Sequence, residues 1–211
     1  KRKLIEEISK KDFDREYFVN LINSDMDVRE SVLLELFSNP NIMVYYHCYY
    51  VVSDASQKEP ALYYKYWDRF IELLDHNNSY HRDIGLTIIA NLIQVDTEDR
   101  FSQIWPKYME HICDKKFMTG ECCLQNLRKI LKTRVDLIDE VITILLKLDS
   151  ICHYTEKQKA LLDCSILNIF DDLYLISSRK EELIDFIKKS TTSISPKTRK
   201  RAKQLAEKYN I

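Results

Sequence analysis

Apolar residues recur at helical spacing along nearly the whole chain, and the clearest instance is a pair of segments near its middle. Leu62 to Asp75 (LYYKYWDRFIELLD) places Trp67, Phe70, Ile71 and Leu74 at intervals of three, one and three. Tyr80 to Gln94 (YHRDIGLTIIANLIQ) sets Ile84, Ile88 and Leu92 four apart, with Ile89 and Ile93 beside them, and the polar run His76-Asn77-Asn78-Ser79 joins the two segments. Each pattern predicts an amphipathic helix with one apolar face. Neither helix can bury that face by itself, so the pair must close on itself and on neighbours of the same kind.

The same alternation of helix and polar turn runs through the rest of the chain. Lys3 to Ser9 reads as a short helix and Asp14 to Asn23 as a longer one, with Asp12 or Asp14 as its N-cap; Val28 to Phe37 follows and is ended by Asn39-Pro40-Asn41. Ile42 to Val52 (IMVYYHCYYVV) is apolar and aromatic almost all round. With no other strand to join, it is expected to form a buried helix, and Asp54 to Pro60 is expected to be a loop. After the central pair, helices are predicted over Glu98 to Cys113, with a kink at Pro106, and over Phe117 to Lys132, Val135 to Leu148, Glu156 to Leu175, Lys180 to Lys189 and Pro196 to Tyr209. Ser195 before Pro196 is the expected cap of the last helix.

Composition narrows the class. Only 2 glycines and 4 prolines occur in 211 residues, too few for the turns of a hairpin-rich protein, so an all-α fold is expected. Lys and Arg number 32 against 33 Asp and Glu, and a formal net charge of −1 gives no global field favouring nucleic acid or an anionic membrane. The six cysteines (Cys48, Cys113, Cys122, Cys123, Cys152 and Cys164) form no Cys-x-x-Cys pair and several fall at apolar helix positions. They read as small buried hydrophobes, and with no signal peptide and no apolar run long enough to span a bilayer the expected compartment is the reducing cytoplasm.

The second helices of successive pairs begin near Val28, Tyr80, Phe117, Glu156 and Pro196, and from Tyr80 onward the period is 37 to 40 residues. Asp27-Val28-Arg29-Glu30 lies in phase with Tyr80-His81-Arg82-Asp83, and Ser195 to Lys200 repeats the turn-then-Arg layout; the unit at Phe117 has Gly120 and no Arg. Ile89-Ala90-Asn91-Leu92, Leu124-Gln125-Asn126-Leu127 and Ile166-Leu167-Asn168-Ile169 also recur. In these features the chain resembles the HEAT repeat family of the HEAT and armadillo superfamily. The resemblance implies one domain over residues 1–211, an α-α superhelix of about five antiparallel pairs with second helices lining a concave face, and a role in binding macromolecules.

On that reading the candidate partner-binding residues are Arg82, Asp83, Thr87, Asn91, Asn126, Lys129, Asn168 and Asp171, because a ladder of asparagines can pair donor and acceptor groups with the backbone of an extended peptide. The competing account is that the asparagines are solvated or bond between repeats. Asp83, Asp163 and Asp171 are expected to offset Arg82 and Lys129 and keep the surface mixed or acidic. The tyrosines Tyr45, Tyr46, Tyr49, Tyr50, Tyr63, Tyr64 and Tyr66 serve either as packing or as a contact surface, packing being the commoner use of aromatics at helical spacing.

No catalytic residue, cofactor or metal is expected. His111 and Cys113 stand two apart on one helix and so face different ways, and adjacency of Cys152 and His153 does not make a catalytic dyad. The leading function is a noncatalytic scaffold for a protein or peptide. The alternative is a DNA-binding or DNA-repair protein of the alkylpurine glycosylase type, which would draw on Trp67-Asp68 and on the basic final helix with Lys197, Arg199, Lys200, Arg201, Lys203 and Lys208.

Overall fold

The computed structural model describes residues 2–211, and its regular elements are thirteen α-helices and six short 3-10 segments. No strand forms among the described residues, so the chain is all-α. It makes two compact units, Lys1–Ser102 and Gln103–Ile211.

The first unit contains α1 (Arg2–Ile8), α2 (Arg15–Ser24), α3 (Met26–Ser38), α4 (Ile42–Lys58), α5 (Trp67–Glu72) and α6 (Ser79–Leu92). Its helices start where short polar side chains can take up the first unpaired amide groups: Asp14, Asp25, Asn41 and Asn78 each accept from the backbone of the following turn. The Tyr-rich segment is the hub. As α4 it packs on α1, α2, α3 and α6, burying Val44, Tyr45, Cys48, Val51 and Val52, while His47 Nδ1 meets the carbonyl of Ile8 at 2.7 Å.

Two expectations are corrected here. The stretch from Asp54 is no loop, because α4 continues to Lys58; nothing between Val52 and Pro60 breaks a helix, Ala55 and Ser56 are fully buried, and Asp54 takes a two-pronged bond from Arg15 at 2.6 and 2.7 Å. The predicted helix Leu62 to Asp75 is α-helical only over α5, with 3-10 segments at Pro60–Leu62, Tyr64–Tyr66 and Leu73–Asp75. Tyr63, Tyr64 and Tyr66 lie in this tightened stretch, and their hydroxyls reach Asn23, Asp96 and Glu30 respectively. Such tertiary bonds override a local periodicity.

The second unit holds most of α7 (Arg100–Glu110), then α8 (Phe117–Thr133), α9 (Ile138–Leu146), α10 (Leu148–Ile151), α11 (Glu156–Leu173), α12 (Lys180–Ser190) and α13 (Pro196–Tyr209). Here α11 is the central helix, packed on α8, α12 and α13, and Leu167, Ile187, Ala202 and Leu205 form a buried cluster where the last three helices meet. Ser195 caps α13 as expected, accepting from the Thr198 amide, and Thr155 with Gln158 forms a capping box at α11. The predicted helix Val135 to Leu148 is broken: a 3-10 turn precedes α9, and Lys147, at φ −101° and ψ 0°, separates α9 from α10.

The cysteine reading is also corrected. Cys113 and Cys152 are joined as a disulfide, with Cα atoms 5.0 Å apart and 39 residues of separation, while Cys48, Cys122, Cys123 and Cys164 are free thiols. Disulfides belong to oxidising compartments, so this pairing removes the ground for inferring a reducing one. No helix among the described residues is long and apolar enough to cross a membrane.

One device recurs at four turns and is replaced at a fifth. The fourth residue of α3, α6, α11 and α13 is Arg29, Arg82, Lys159 and Arg199, and each reaches back to carbonyls at the end of the preceding helix or in the turn. Arg29 bonds Ile22 O at 2.7 Å, Arg82 bonds His76 O at 2.8 Å and Asn77 O at 3.1 Å, Lys159 bonds Asp149 O at 2.7 Å, and Arg199 bonds Ser193 O at 2.6 Å. Helix C-termini leave carbonyls unpaired and carry partial negative charge, so a cation there satisfies both. In α8 the fourth residue is Gly120, and the phenol of Tyr154 occupies the place instead, donating between Ile112 O at 3.0 Å and Asp114 O at 2.7 Å.

Candidate functional site

The residues singled out as a binding ladder sit in both units and are largely turned to internal use. Arg82 is the carbonyl cap just described. Thr87 and Asn91 are buried, and the Asn91 amide donates to Ser53 O at 3.0 Å and Ser56 Oγ at 3.1 Å, tying α6 to α4. Asn126 is buried and donates to Cys122 O of its own helix at 3.0 Å; Asp83 and Lys129 are half-buried. The structure brings Asn168 and Asp171 together around α13: Arg201 binds Asn168 Oδ1 and Asp171 Oδ2, each at 2.7 Å, and Asp171 Oδ1 also accepts from Lys208 at 2.7 Å and Tyr209 at 2.5 Å. Burial pushes the Asp171 carboxyl up, but these bonds outweigh it and hold it below the usual carboxylate range. Counted from the helix starts, Asn91 and Asn168 are both thirteenth while Asn126 is tenth, one turn earlier.

Other candidate chemistry resolves in the same way. Tyr45 and Tyr63 are buried, and Tyr46, half-buried, makes edge contacts with Tyr49, Tyr50 and Tyr80. Trp67 is fully buried, whereas Asp68 is exposed and paired with Arg100, so the Trp-Asp pair on which a DNA-repair reading would rest divides between core and surface. His111 Nδ1 lies 2.9 Å from Asp114 Oδ2, and Cys113 and Cys152 are spent on each other. Among the described residues no cluster of His, Cys, Asp and Glu could hold a metal ion.

What the second unit does present is a cleft of about 310 Å³ between α9, α11, α12 and the turn into α13. Leu145, Leu146, Ala160, Phe186 and Ile194 supply apolar walls, and Ser190, Thr192 and Ser193 place hydroxyls at its edge. Asp163 projects into it from the middle of α11 and makes no hydrogen bond or ion pair among the described residues; Asp149, Glu156, Lys159 and Lys189 are the other charged groups of the lining. Burial, reinforced by Asp149 and opposed by Lys189, pushes the Asp163 carboxyl up to about 6. The sequence signal was present but unused. Glu156, Lys159, Asp163 follow one another at three and four residues, a polar stripe on the α11 face that also carries Ala160.

The raised acid has a stability consequence. The folded state holds its proton more tightly than the unfolded chain, so the associated stabilisation is complete below the ordinary carboxylate range and is lost as pH rises to about 6. Asp163→Asn, which keeps the shape and removes the titration, is expected to be more stable than the parent by about 2 kcal/mol at pH 7.5 and nearly equal to it at pH 4. Urea unfolding at the two values measures it, and a difference that does not change with pH would refute the assignment.

Compared with known proteins, the chain matches no family model, no curated protein and no solved structure.

Proposed function

We propose that the chain is a noncatalytic helical module of HEAT-like construction that binds a protein or peptide. The observation that carries this reading is the cleft of the second unit, where five apolar side chains surround a carboxylate, Asp163, with no partner of its own. A half-buried carboxylate beside a second one, Asp149, is a costly arrangement that an incoming ammonium or guanidinium would relieve. The apolar walls would take the stem of that same side chain, since Lys and Arg carry long aliphatic stems beneath their charged heads. The ligand is therefore a peptide segment with a Lys or Arg beside an apolar residue. The recurring cation at the fourth helical position supports the repeat reading, because Arg29, Arg82, Lys159 and Arg199 perform one task at equivalent turns.

A peptide-display selection on the intact chain, with Asp163→Lys as the counter-target, tests the proposal. Enrichment of peptides with Lys or Arg next to an apolar residue, lost on the variant, is the expected result. Peptides retained equally by both proteins, or no enrichment at all, would remove the cleft as the contact.

A further inference from the structure

The densest run of positive charge lies apart from that cleft's acids. Between Phe186 and Ala206 the chain has seven basic residues and no acidic one. Folding sorts them. Arg201 is neutralised by Asp171, Arg199 is committed to Ser193 O, Lys189 lines the cleft facing Asp163, and Lys188 is exposed on α12. Lys197, Lys200 and Lys203 remain exposed on α13, and among the described residues none of the three forms an ion pair. At 100° per residue they fall within one third of the helix circumference, and at 1.5 Å per residue they extend over about 9 Å of its axis. Pro196 and Gln204 complete the face, and Glu207 ends it one turn further on. The stripe begins at the N-terminus of a 14-residue helix, whose dipole adds positive character at the same end.

We propose that this face of α13 is a docking surface for the phosphate backbone of duplex nucleic acid, independent of the cleft and of what the cleft binds. Charge complementarity selects a polyanion: along about 9 Å of axis a B-form duplex carries about five phosphate charges, enough for all three lysines at once. The chemistry missing from the face selects the duplex among polyanions. A single strand is held by aromatic stacking as well as charge, but no aromatic lies on this stripe, and the neighbouring Tyr209 is stacked on Tyr174 with ring centroids 3.6 Å apart. An anionic bilayer is held by inserted apolar residues beside the lysines, and a protein partner by buried apolar anchors; the lysine stripe itself offers neither, the exposed Ile194 and Leu161 lying together beyond its Pro196 end. Lysines without base-reading groups give recognition that is insensitive to sequence.

The test is fluorescence anisotropy of a labelled 20-base-pair duplex of mixed sequence, titrated with the full chain between 50 and 200 mM salt. A Lys197→Gln, Lys200→Gln, Lys203→Gln triple variant is compared with a Lys10→Gln, Lys11→Gln, Lys58→Gln control, whose positions are equally exposed. The parent and the control are expected to bind with affinity that falls steeply with salt. The α13 variant should bind at least tenfold more weakly at 50 mM, with its log-log salt slope shallower by about 3, close to the 0.9 expected per phosphate contact. Circular dichroism checks that all three proteins are folded. The proposal is overturned if the parent fails to bind at 50 mM, if the α13 variant binds as the parent does, or if phosphatidylserine vesicles or polyglutamate bind more tightly than the duplex through the same three lysines.

Discussion

Replacing Cys113 and Cys152 together by serine is expected to lower the unfolding free energy of the second unit by about 4 kcal/mol. The estimate follows from chain entropy: a cross-link that closes 39 residues removes about 13 cal/mol/K from the unfolded ensemble. Its placement makes the loss structural as well as entropic. Cys113 ends the 3-10 turn after α7, and Cys152 terminates α10 just before Tyr154 and the Thr155 cap of α11, so the bond fastens two successive turns at the point where the fourth-position cation is missing. Three of the four remaining thiols are poorly placed to exchange with it: burial pushes Cys48 up to about 12, and burial also raises Cys123 and Cys164. Urea unfolding of the double variant and of the parent, with and without reductant, gives the measurement. The reduced parent should coincide with the double variant, and a parent whose midpoint ignores reductant would show that this pairing does not stabilise the fold.

The same pair illustrates which features can be read from a linear chain. Helix starts were legible at Asp14 and at the Ser195-Pro196 step, because capping involves residues three apart at most. The helix of the Tyr-rich segment was legible from its unbroken apolar character, but not its extension to Lys58, since the burial of Ala55 and Ser56 depends on neighbours elsewhere in the unit. The turn-then-Arg layout at Arg29, Arg82 and Arg199 was visible, yet its purpose was not; only the structure shows these guanidiniums on the preceding carbonyls, and only there does Lys159 join them. The asparagines resemble one another in local sequence but have different partners: Asn91 bonds α4, Asn126 its own helix and Asn168 the Arg201 of α13. Asp163 went unselected as a ligand-binding residue because a lone acid on a helix reads as a solvated one until α9, α10 and α12 are placed around it.

Gly120→Ala is expected to destabilise the protein by about 2 to 4 kcal/mol, although glycine to alanine inside a helix ordinarily stabilises by about 1 kcal/mol. The reversal arises from the turn that lacks its cation. A Cβ on Gly120 would stand 2.4 Å from the Tyr154 hydroxyl and 2.6 Å from the carbonyl oxygen of Ile112, and the second of these is backbone, in a turn bounded by the disulfide. Tyr154 could swing away, but its hydroxyl would then abandon the donation it shares between Ile112 O and Asp114 O, worth about 1 kcal/mol, and its ring would lose the perpendicular contact with Phe117. Part of the cost therefore runs through Tyr154, and a double-mutant cycle isolates it. With Tyr154→Phe as background, Gly120→Ala should cost at least 1 kcal/mol less than in the parent, because the nearest atom is gone and the hydrogen bonds are already lost. Full additivity of the two substitutions in urea unfolding would mean that the phenol does not occupy the place of the missing cation. Gly85→Ala in α6, where a Cβ would meet the Phe70 carbonyl oxygen at 2.9 Å without any such hydroxyl, should show no dependence on Tyr154 and serves as the control. Dependence on Tyr154 at Gly120 alone would identify α8 as the one of these five helices whose turn is closed by a later segment of the chain instead of by its own fourth residue.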